Sequence, residues 1–428
     1  MIPLVLAKAR PPRGCREVFA PMALLLAAAC TQSTGEVSPR PGSTVPGQLV
    51  IGATLPLTGA EARIGGFYKE GYELAFEETN TKGGLLIGGK RVPVVLRLLD
   101  DESATNVSIS LAERLIAVDK VSLLLGTYSS SLVEAQSAVA EKYRIPYVNG
   151  GGAATDIYRK GYRYVFGFLA PVELLADAIM RWVQSQQKAG KLPRPSTVAV
   201  LWENTSHGKD FRKGVLQFVG THGSDYTILL DRPFEMNSED FSGLIKDLKT
   251  ARADIVLADA HLPDYIKMQR QYVAAKICSK VLSYGARGPE KQAAELLGQT
   301  SVNYVLSAVW WNHQLGSKGL TKRFVDSFRS RFNREPEWYQ AISYETTRVL
   351  FTAIEQANAV DREAIRNKLA AMDIESILPG GRLTLYDEKG QQAHYPFVVQ
   401  QNMPDGSSPI VYPLDVANSP GVVPHCED

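Results

Sequence analysis

Apolar residues in this chain follow two alternating rhythms. Short runs such as Leu49-Val50-Ile51-Gly52-Ala53 are apolar on both faces, as strands covered on both sides require. Between such runs apolar positions recur every three or four residues, as in Phe67/Tyr68, Gly71/Tyr72 and Ala75/Phe76, which is the helical period. The pattern predicts strands at 49–53, 92–99, 121–125, 145–148 and 164–168, with helices at 67–79, 107–118, 132–142 and 172–187. A proline-punctuated stretch at 190–196 then interrupts it. Strands at 198–202, 227–230, 255–258, 281–284 and 302–309 follow, interleaved with helices at 209–221, 241–250 and 263–276. Three further helices are predicted at 321–332, 338–358 and 362–372.

Strands alternating with helices of this length form parallel sheets covered on both faces. There are too many units for one sheet, and the restart near Ser196 implies two. The predicted fold class is therefore α/β: two doubly wound parallel-sheet lobes with a ligand cleft between them. The end of the chain leaves the alternation. Its segments 381–386 and 395–400 predict an added hairpin turning at Glu388-Lys389-Gly390.

The N-terminus has a different pattern. Lys8, Arg10, Arg13 and Arg16 precede an apolar run over 18–29 that ends in Leu26-Ala27-Ala28-Ala29-Cys30. A basic segment, a short apolar run and small residues describe a secretory signal over 1–29. The run is shorter than the ~20 residues a membrane span needs. Leu26 to Cys30 resembles a bacterial lipobox, in which Cys30 becomes a lipidated N-terminus, although Ala27 stands where an aliphatic residue is usual. A plain signal peptide containing a cysteine is the other reading. Residues 30–47 are rich in Ser, Thr, Gly and Pro, the composition of a flexible tether.

Composition narrows the classes. The 428 residues are 45% apolar and 21% charged, ordinary globular values, and the formal net charge is +2. Removing the signal leaves a nearly neutral body with no basic cluster, which argues against a nucleic-acid partner. Four cysteines in a chain this long make no disulfide framework, and no Cys-x-x-Cys or His-x-x-x-His spacing suggests a metal. No P-loop, G-x-G-x-x-G or Gly-x-Ser-x-Gly motif is present, so no cofactor is implied and no catalytic constellation is visible. Asp100-Asp101-Glu102 is the densest acidic cluster, and helix capping accounts for it more simply than catalysis.

Ile51-Gly52-Ala53-Thr54-Leu55-Pro56-Leu57-Thr58-Gly59 opens a longer pattern. It continues through Asn80-Thr81-Lys82-Gly83-Gly84-Leu85, Gly88-Gly89-Lys90, Leu98-Leu99-Asp100-Asp101, Gly126-Thr127-Tyr128-Ser129-Ser130-Ser131, Ile145-Pro146 and Gly381-Arg382-Leu383 with Asp387 and Gly390. This resembles the branched-chain amino acid binding proteins, the type I periplasmic receptors of ABC importers, from about residue 48 to 401. The resemblance implies two lobes joined by three crossings, lobe 1 at 48–170 and 311–376 and lobe 2 at 171–310 and 377–428. It also implies a ligand held between them at the strand C-terminal ends.

The residues then suggest a site. Ser129 and Ser130 end a strand and open a helix, where hydroxyls and free N–H groups favour an anion, although an ordinary N-cap has the same appearance. The resemblance places a ligand carboxylate there and against Gly151, Ala153 and Thr155, with Ala153 standing where the family has a threonine hydroxyl. It puts His207 and His261 at ligand-facing aromatic positions, and Phe67 and Tyr68 on an aromatic wall. The family carboxylate that takes an ammonium falls on Arg287, or on Glu290 if the alignment slips, and the two readings favour different ligands. Trp310-Trp311 falls at a crossing, and Trp338-Tyr339 opens a helix that in the family reaches the cleft. Ser103 and Tyr128 replace the family's early cysteines, while Cys278 and Cys426 both fall in lobe 2 and are able to pair.

The expectation is an exported, lipid-anchored receptor that closes on a small amino acid, carboxylate or amide. It presents the closed form to ABC importer permease subunits and touches the membrane only through its anchor. A ligand sensor of the same fold signalling to a partner protein is the alternative, and a secreted enzyme a third reading with no catalytic residues to support it.

Overall fold

A computed structural model describes residues 45–316, 318–385 and 391–426. The signal, Cys30, most of the tether, and the 388–390 turn with Asp387 lie outside the described residues. The chain starts with β1 (Leu49–Leu55), α1 (Ala62–Thr81), β2 (Leu85–Ile87), β3 (Lys90–Val92), β4 (Val94–Asp100) and α2 (Thr105–Ala117). It continues with β5 (Leu123–Leu125), α3 (Ser130–Lys142), β6 (Tyr147–Asn149), α4 (Thr155–Tyr158), β7 (Val165–Gly167) and α5 (Val172–Lys188). After the proline stretch come β8 (Ser196–Glu203), α6 (Ser206–Thr221), β9 (Tyr226–Phe234), α7 (Ser242–Ala251), β10 (Ile255–Asp259) and α8 (Leu262–Ala274). Then follow β11 (Val281–Tyr284), α9 (Lys291–Leu297), β12 (Leu306–Val309), α10 (Gly319–Phe332), α11 (Trp338–Ala357) and α12 (Arg362–Ala370). The last strands are β13 (Asp373–Glu375), β14 (Arg382–Thr384), β15 (Val398–Gln401) and β16 (Ile410–Tyr412).

Two main sheets result. The first runs β4-β1-β5-β6-β7 and is wholly parallel. The second runs β16-β15-β12-β11-β10-β8-β9, with β15 and β16 joined antiparallel to a parallel set of five. The predicted end hairpin is corrected here: β14 pairs with β13 in a small separate ribbon, whereas β15 lies between β12 and β16. Local alternation marked both strands, but their partners are set by long-range contacts. The predicted strand at 302–309 shortens to β12, because 299–301 form a 3₁₀ turn and residues 302–305 do not join the ladder. The β2–β3 hairpin, turning on Gly88 and Gly89 at positive φ, was not predicted because three-residue strands leave too little periodicity.

Central strands are buried on both faces, as their apolar runs require. Helix α1 lies directly against α11. A Cβ on Gly71 would sit 2.0 Å from Ser343 Oγ and 2.5 Å from Gln340 O, so only glycine permits this approach. The N-terminus of α11 is fixed by a capping box between Glu337 and Gln340, which aims Trp338 and Tyr339 toward the strand ends. Trp310 Nε1 donates to Ala170 O at 2.9 Å and Trp311 Nε1 to Ile377 O at 3.0 Å, tying together segments that run between the sheets. Gly167, on β7, exchanges backbone hydrogen bonds with Gln391 and Ala393. Cys278 and Cys426 form a disulfide with Cα atoms 5.7 Å apart, which fastens the end of the chain beside the start of β11. Among the described residues no helix is long and apolar enough to cross a membrane.

Candidate ligand cleft

The C-terminal ends of β1, β5 and β6 in one sheet and of β8, β10 and β11 in the other bring several charged and aromatic side chains together. Glu61 stands between β1 and α1, Tyr128 and Ser129 follow β5, and Gly150 to Gly152 follow β6. Glu203 and Asp259 are the last residues of β8 and β10, His207 and His261 lie just beyond, and Arg287 and Glu290 follow β11. Position 151 demands glycine, since a Cβ there would meet Thr127 O at 1.9 Å where β5 and β6 converge.

Each histidine is matched to an acid. His207 Nδ1 lies 2.7 Å from Asp259 Oδ2. His261 Nδ1 lies 2.8 Å from Glu203 Oε1, and the His261 backbone N–H donates to Glu203 Oε2 at 2.9 Å. Burial opposes charge on His261, but Glu203 and then Glu61 outweigh it and push its pKa up to about 10. Burial likewise works against His207, and the charge of Asp259 overcomes it to raise the pKa. Both rings are therefore held toward the imidazolium form, 6.3 Å apart centre to centre.

Arg287 is 6% exposed and lies among the rings of Tyr128, Trp338 and Tyr339, with Cζ 5.5 to 5.9 Å from their centres. Its Nη1 donates to Glu290 Oε1 at 3.3 Å and to the Tyr339 hydroxyl, and its Nη2 to the Tyr128 hydroxyl. Tyr339 in turn donates to Glu290 Oε1 at 2.5 Å. Burial opposes this charge too, but Tyr339, Glu290 and Glu61 sustain it and the guanidinium pKa is raised. The two sequence alternatives thus resolve into one pair: Arg287 and Glu290 occupy the same buried place. Glu61 differs, because its carboxylate accepts no hydrogen bond among the described residues. Loss of water raises its pKa, opposed by the charges of His261 and Arg287.

The remaining candidates divide. Tyr68 donates to Gly150 O at 2.5 Å, and its ring stands 5.4 Å from Tyr128 and 6.1 Å from Tyr339, so it backs the aromatic wall. Phe67 lies further out, 5.8 Å from Tyr339 and with the Arg334 guanidinium above it. Ser129 occupies the N-cap of α3 but makes no side-chain cap bond, so its hydroxyl stays available. Ser130 is committed elsewhere: its Oγ accepts from the N–H groups of Ala153 at 3.1 Å and Ala154 at 3.3 Å. Thr155 N–H donates to Asp210 Oδ2 at 2.8 Å and its hydroxyl to Glu173 Oε2 at 2.8 Å. The backbone N–H groups of residues 153–155, where the resemblance placed a ligand carboxylate, are thus satisfied internally.

Glu61, Glu203, Asp259 and Tyr128 were not among the sequence-derived candidates. The signal for two of them was present: an apolar strand that ends on an acid, as in Val200-Leu201-Trp202-Glu203 and Leu257-Ala258-Asp259, needs a buried partner for that charge.

Two α/β sheets whose strand ends bring charged and aromatic side chains together are the arrangement of a solute receptor. The periplasmic binding protein family matches residues 48–407, and the chain belongs to that family. The chain is 26% identical over 333 residues to Leu/Ile/Val-binding protein homolog 7 of Brucella suis, covering 76% of this chain and 82% of that one. It is 25% identical over 374 residues to homolog 8 of Brucella abortus, covering 86% and 91%. Among solved structures, a leucine-binding protein of Thermotoga maritima superposes with a TM-score of 0.73 at 22% identity, over 85% of this chain and 97% of that one. A Rhodopseudomonas palustris solute-binding protein in complex with benzoate gives 0.70 at 19% identity, over 85% and 95%. These relatives are solute-binding proteins, not enzymes.

Proposed function

We propose that this protein is the exported substrate-binding component of an ABC importer and that it closes on a small carboxylate-bearing solute, an α-amino acid in the first instance. The observation that carries this reading is the charge pattern of the cleft. Arg287, His207 and His261 each have one acidic partner, and Glu61 is the acid left over. A zwitterion suits that pattern, its carboxylate near Arg287 and Ser129 and its ammonium toward Glu61. A ligand with an ammonium and no carboxylate would leave Arg287 facing only neutral phenols and Glu290. The aromatic ring around Arg287 supports a second reading, an aromatic acid lacking the amine, in line with the benzoate bound by the R. palustris protein.

Lobe 1 comprises residues 48–170 and a segment beginning at 311, and lobe 2 comprises 171–310 and the end of the chain. The bonds of Gln391 and Ala393 to Gly167 of β7 support a third crossing further along the chain than 376. A ligand touching both lobes stabilises only the closed arrangement, so capture is a population shift. Residues 1–29 serve as a signal peptide, and Cys30 carries the lipid on a tether reaching to residue 47. An anchored receptor on a tether fits delivery to permease subunits better than signalling.

The test is thermal unfolding of the 48–428 body against α-amino acids, their deaminated acids, benzoates, dicarboxylates and amides. At ~100 times the dissociation constant a ligand adds about 2.7 kcal/mol. Shifts with amino acids but not their deaminated counterparts support the zwitterion. Shifts with benzoates alone favour the second reading, and no shift with any carboxylate overturns both.

A further inference from the structure

A cavity adjoins Glu290 of the Arg287–Glu290 pair. It has a volume of about 250 Å³, and its walls include Glu290, Glu337, Lys291, Val309, Trp311 and Trp338. Glu290 is 5% exposed, and while its Oε1 serves Arg287 and Tyr339, its Oε2 has no hydrogen-bond partner. A buried carboxylate oxygen without a donor is costly, and native proteins seldom leave one so. Glu337 faces the same space from the N-cap of α11. Burial and then the charge of Glu290 push its pKa up to about 7, against the opposing charges of Lys291, Arg63 and Arg334. Lys291 lines the wall without an ion pair to either acid among the described residues, and burial lowers the pKa of His313, the other basic group there.

We propose that this cavity is a second binding site, for a small organic ammonium ion. The two carboxylates supply the counter-charge and the Glu290 Oε2 acceptor, and Val309 with the two indole rings encloses the apolar body. An anion would face both carboxylates, and a molecule without a hydrogen-bond donor leaves Glu290 Oε2 unpaired. The volume suits a single ring or short chain, since an engineered cavity of ~150 Å³ holds benzene. The site shares Glu290 and Trp338 with the cleft, but Glu337 is not a cleft acid and Glu61 does not line this cavity, so variants of those two residues tell the two sites apart.

Benzylamine hydrochloride is the probe, with benzyl alcohol as its uncharged counterpart, both titrated calorimetrically into the 48–428 protein at pH 8. Benzylamine is expected to bind one to one and benzyl alcohol at least tenfold more weakly. Glu337→Gln keeps an acceptor at the N-cap of α11, so the helix start survives. It and Glu290→Gln should each weaken benzylamine at least tenfold, while Glu61→Gln leaves it unchanged. No benzylamine binding at millimolar concentration, equal binding of the alcohol, or insensitivity to Glu337→Gln overturns the proposal. Loss confined to Glu61→Gln also overturns it, and locates the amine in the cleft.

Discussion

Removing the positive half of the Arg287–Glu290 pair should cost more than removing both halves. In Arg287→Met an unbranched apolar stem replaces the arginine stem and the guanidinium is lost, leaving Glu290 buried at 5% exposure with only the Tyr339 hydroxyl as donor. At the 3.3 Å separation found here, an effective dielectric near 20 gives a Coulomb term of about 5 kcal/mol. Breaking a buried pair by deleting one partner costs ~3–5 kcal/mol, whereas deleting both is close to neutral. Urea unfolding should therefore show Arg287→Met destabilised by about 3 kcal/mol or more, and Arg287→Met/Glu290→Gln restored to within ~1 kcal/mol of the parent. Both variants should lose carboxylate binding by calorimetry, because the cation is absent from each. If the double variant is as unstable as the single, the pair is not what burial of Glu290 depends on. If Arg287→Met still binds the carboxylate, the anchor lies elsewhere.

Ser129→Ala removes the uncommitted hydroxyl at the N-cap of α3 and should weaken the ligand about 10- to 100-fold, the worth of a hydrogen bond to a charged group, with unfolding unchanged. Stability should fall as pH rises. Burial raises Asp101, Asp210 and Asp264 to about 6 and Glu337 to about 7, while Glu203 and Glu61 hold His261 near 10 against its burial. Each holds more protons folded than unfolded, so its contribution is full below its unfolded pKa and is lost as pH passes its folded value. His425, lowered to about 4 by burial, acts oppositely and is lost as pH falls from ~6.5. Four carboxyl groups outweigh the single opposing histidine, so unfolding midpoints should already decline as pH rises from about 4 and continue to fall toward about pH 9, and a rise toward about pH 8 would contradict this. Cys278→Ser/Cys426→Ser opens a loop of 148 residues and should cost ~2–5 kcal/mol in guanidinium unfolding while ligand affinity holds. An unchanged midpoint would deny the bridge a stabilising role.

Much of the fold was legible because parallel strands announce themselves as apolar runs. The runs at 49–53, 255–258 and 281–284 fall on β1, β10 and β11. Pairing was legible only where sequence order and spatial order agree. The end strands were recognised as strands, but Arg382–Thr384 pairs with Asp373–Glu375 while Val398–Gln401 crosses to the other sheet, a choice that depends on contacts far apart in the chain. The site divides similarly. His207, His261, Arg287 and Glu290 were named from position, whereas Glu61, with no motif around it, emerges only when α1 brings it to the ends of β8, β10 and β11.

The sequence by itself determined the class: alternating buried strands and amphipathic helices admit little besides two covered parallel sheets, whose strand ends make the cleft. Tertiary structure decided the charges. Whether Arg287 or Glu290 faced the ligand was an alignment question in one dimension. In three, β11 and α11 bring both to one buried point, and the low dielectric there makes each necessary to the other. A buried charge is defined by its partner, and partners 49 or 58 residues apart, as Tyr339 is from Glu290 and His261 from Glu203, meet only when the sheets have formed.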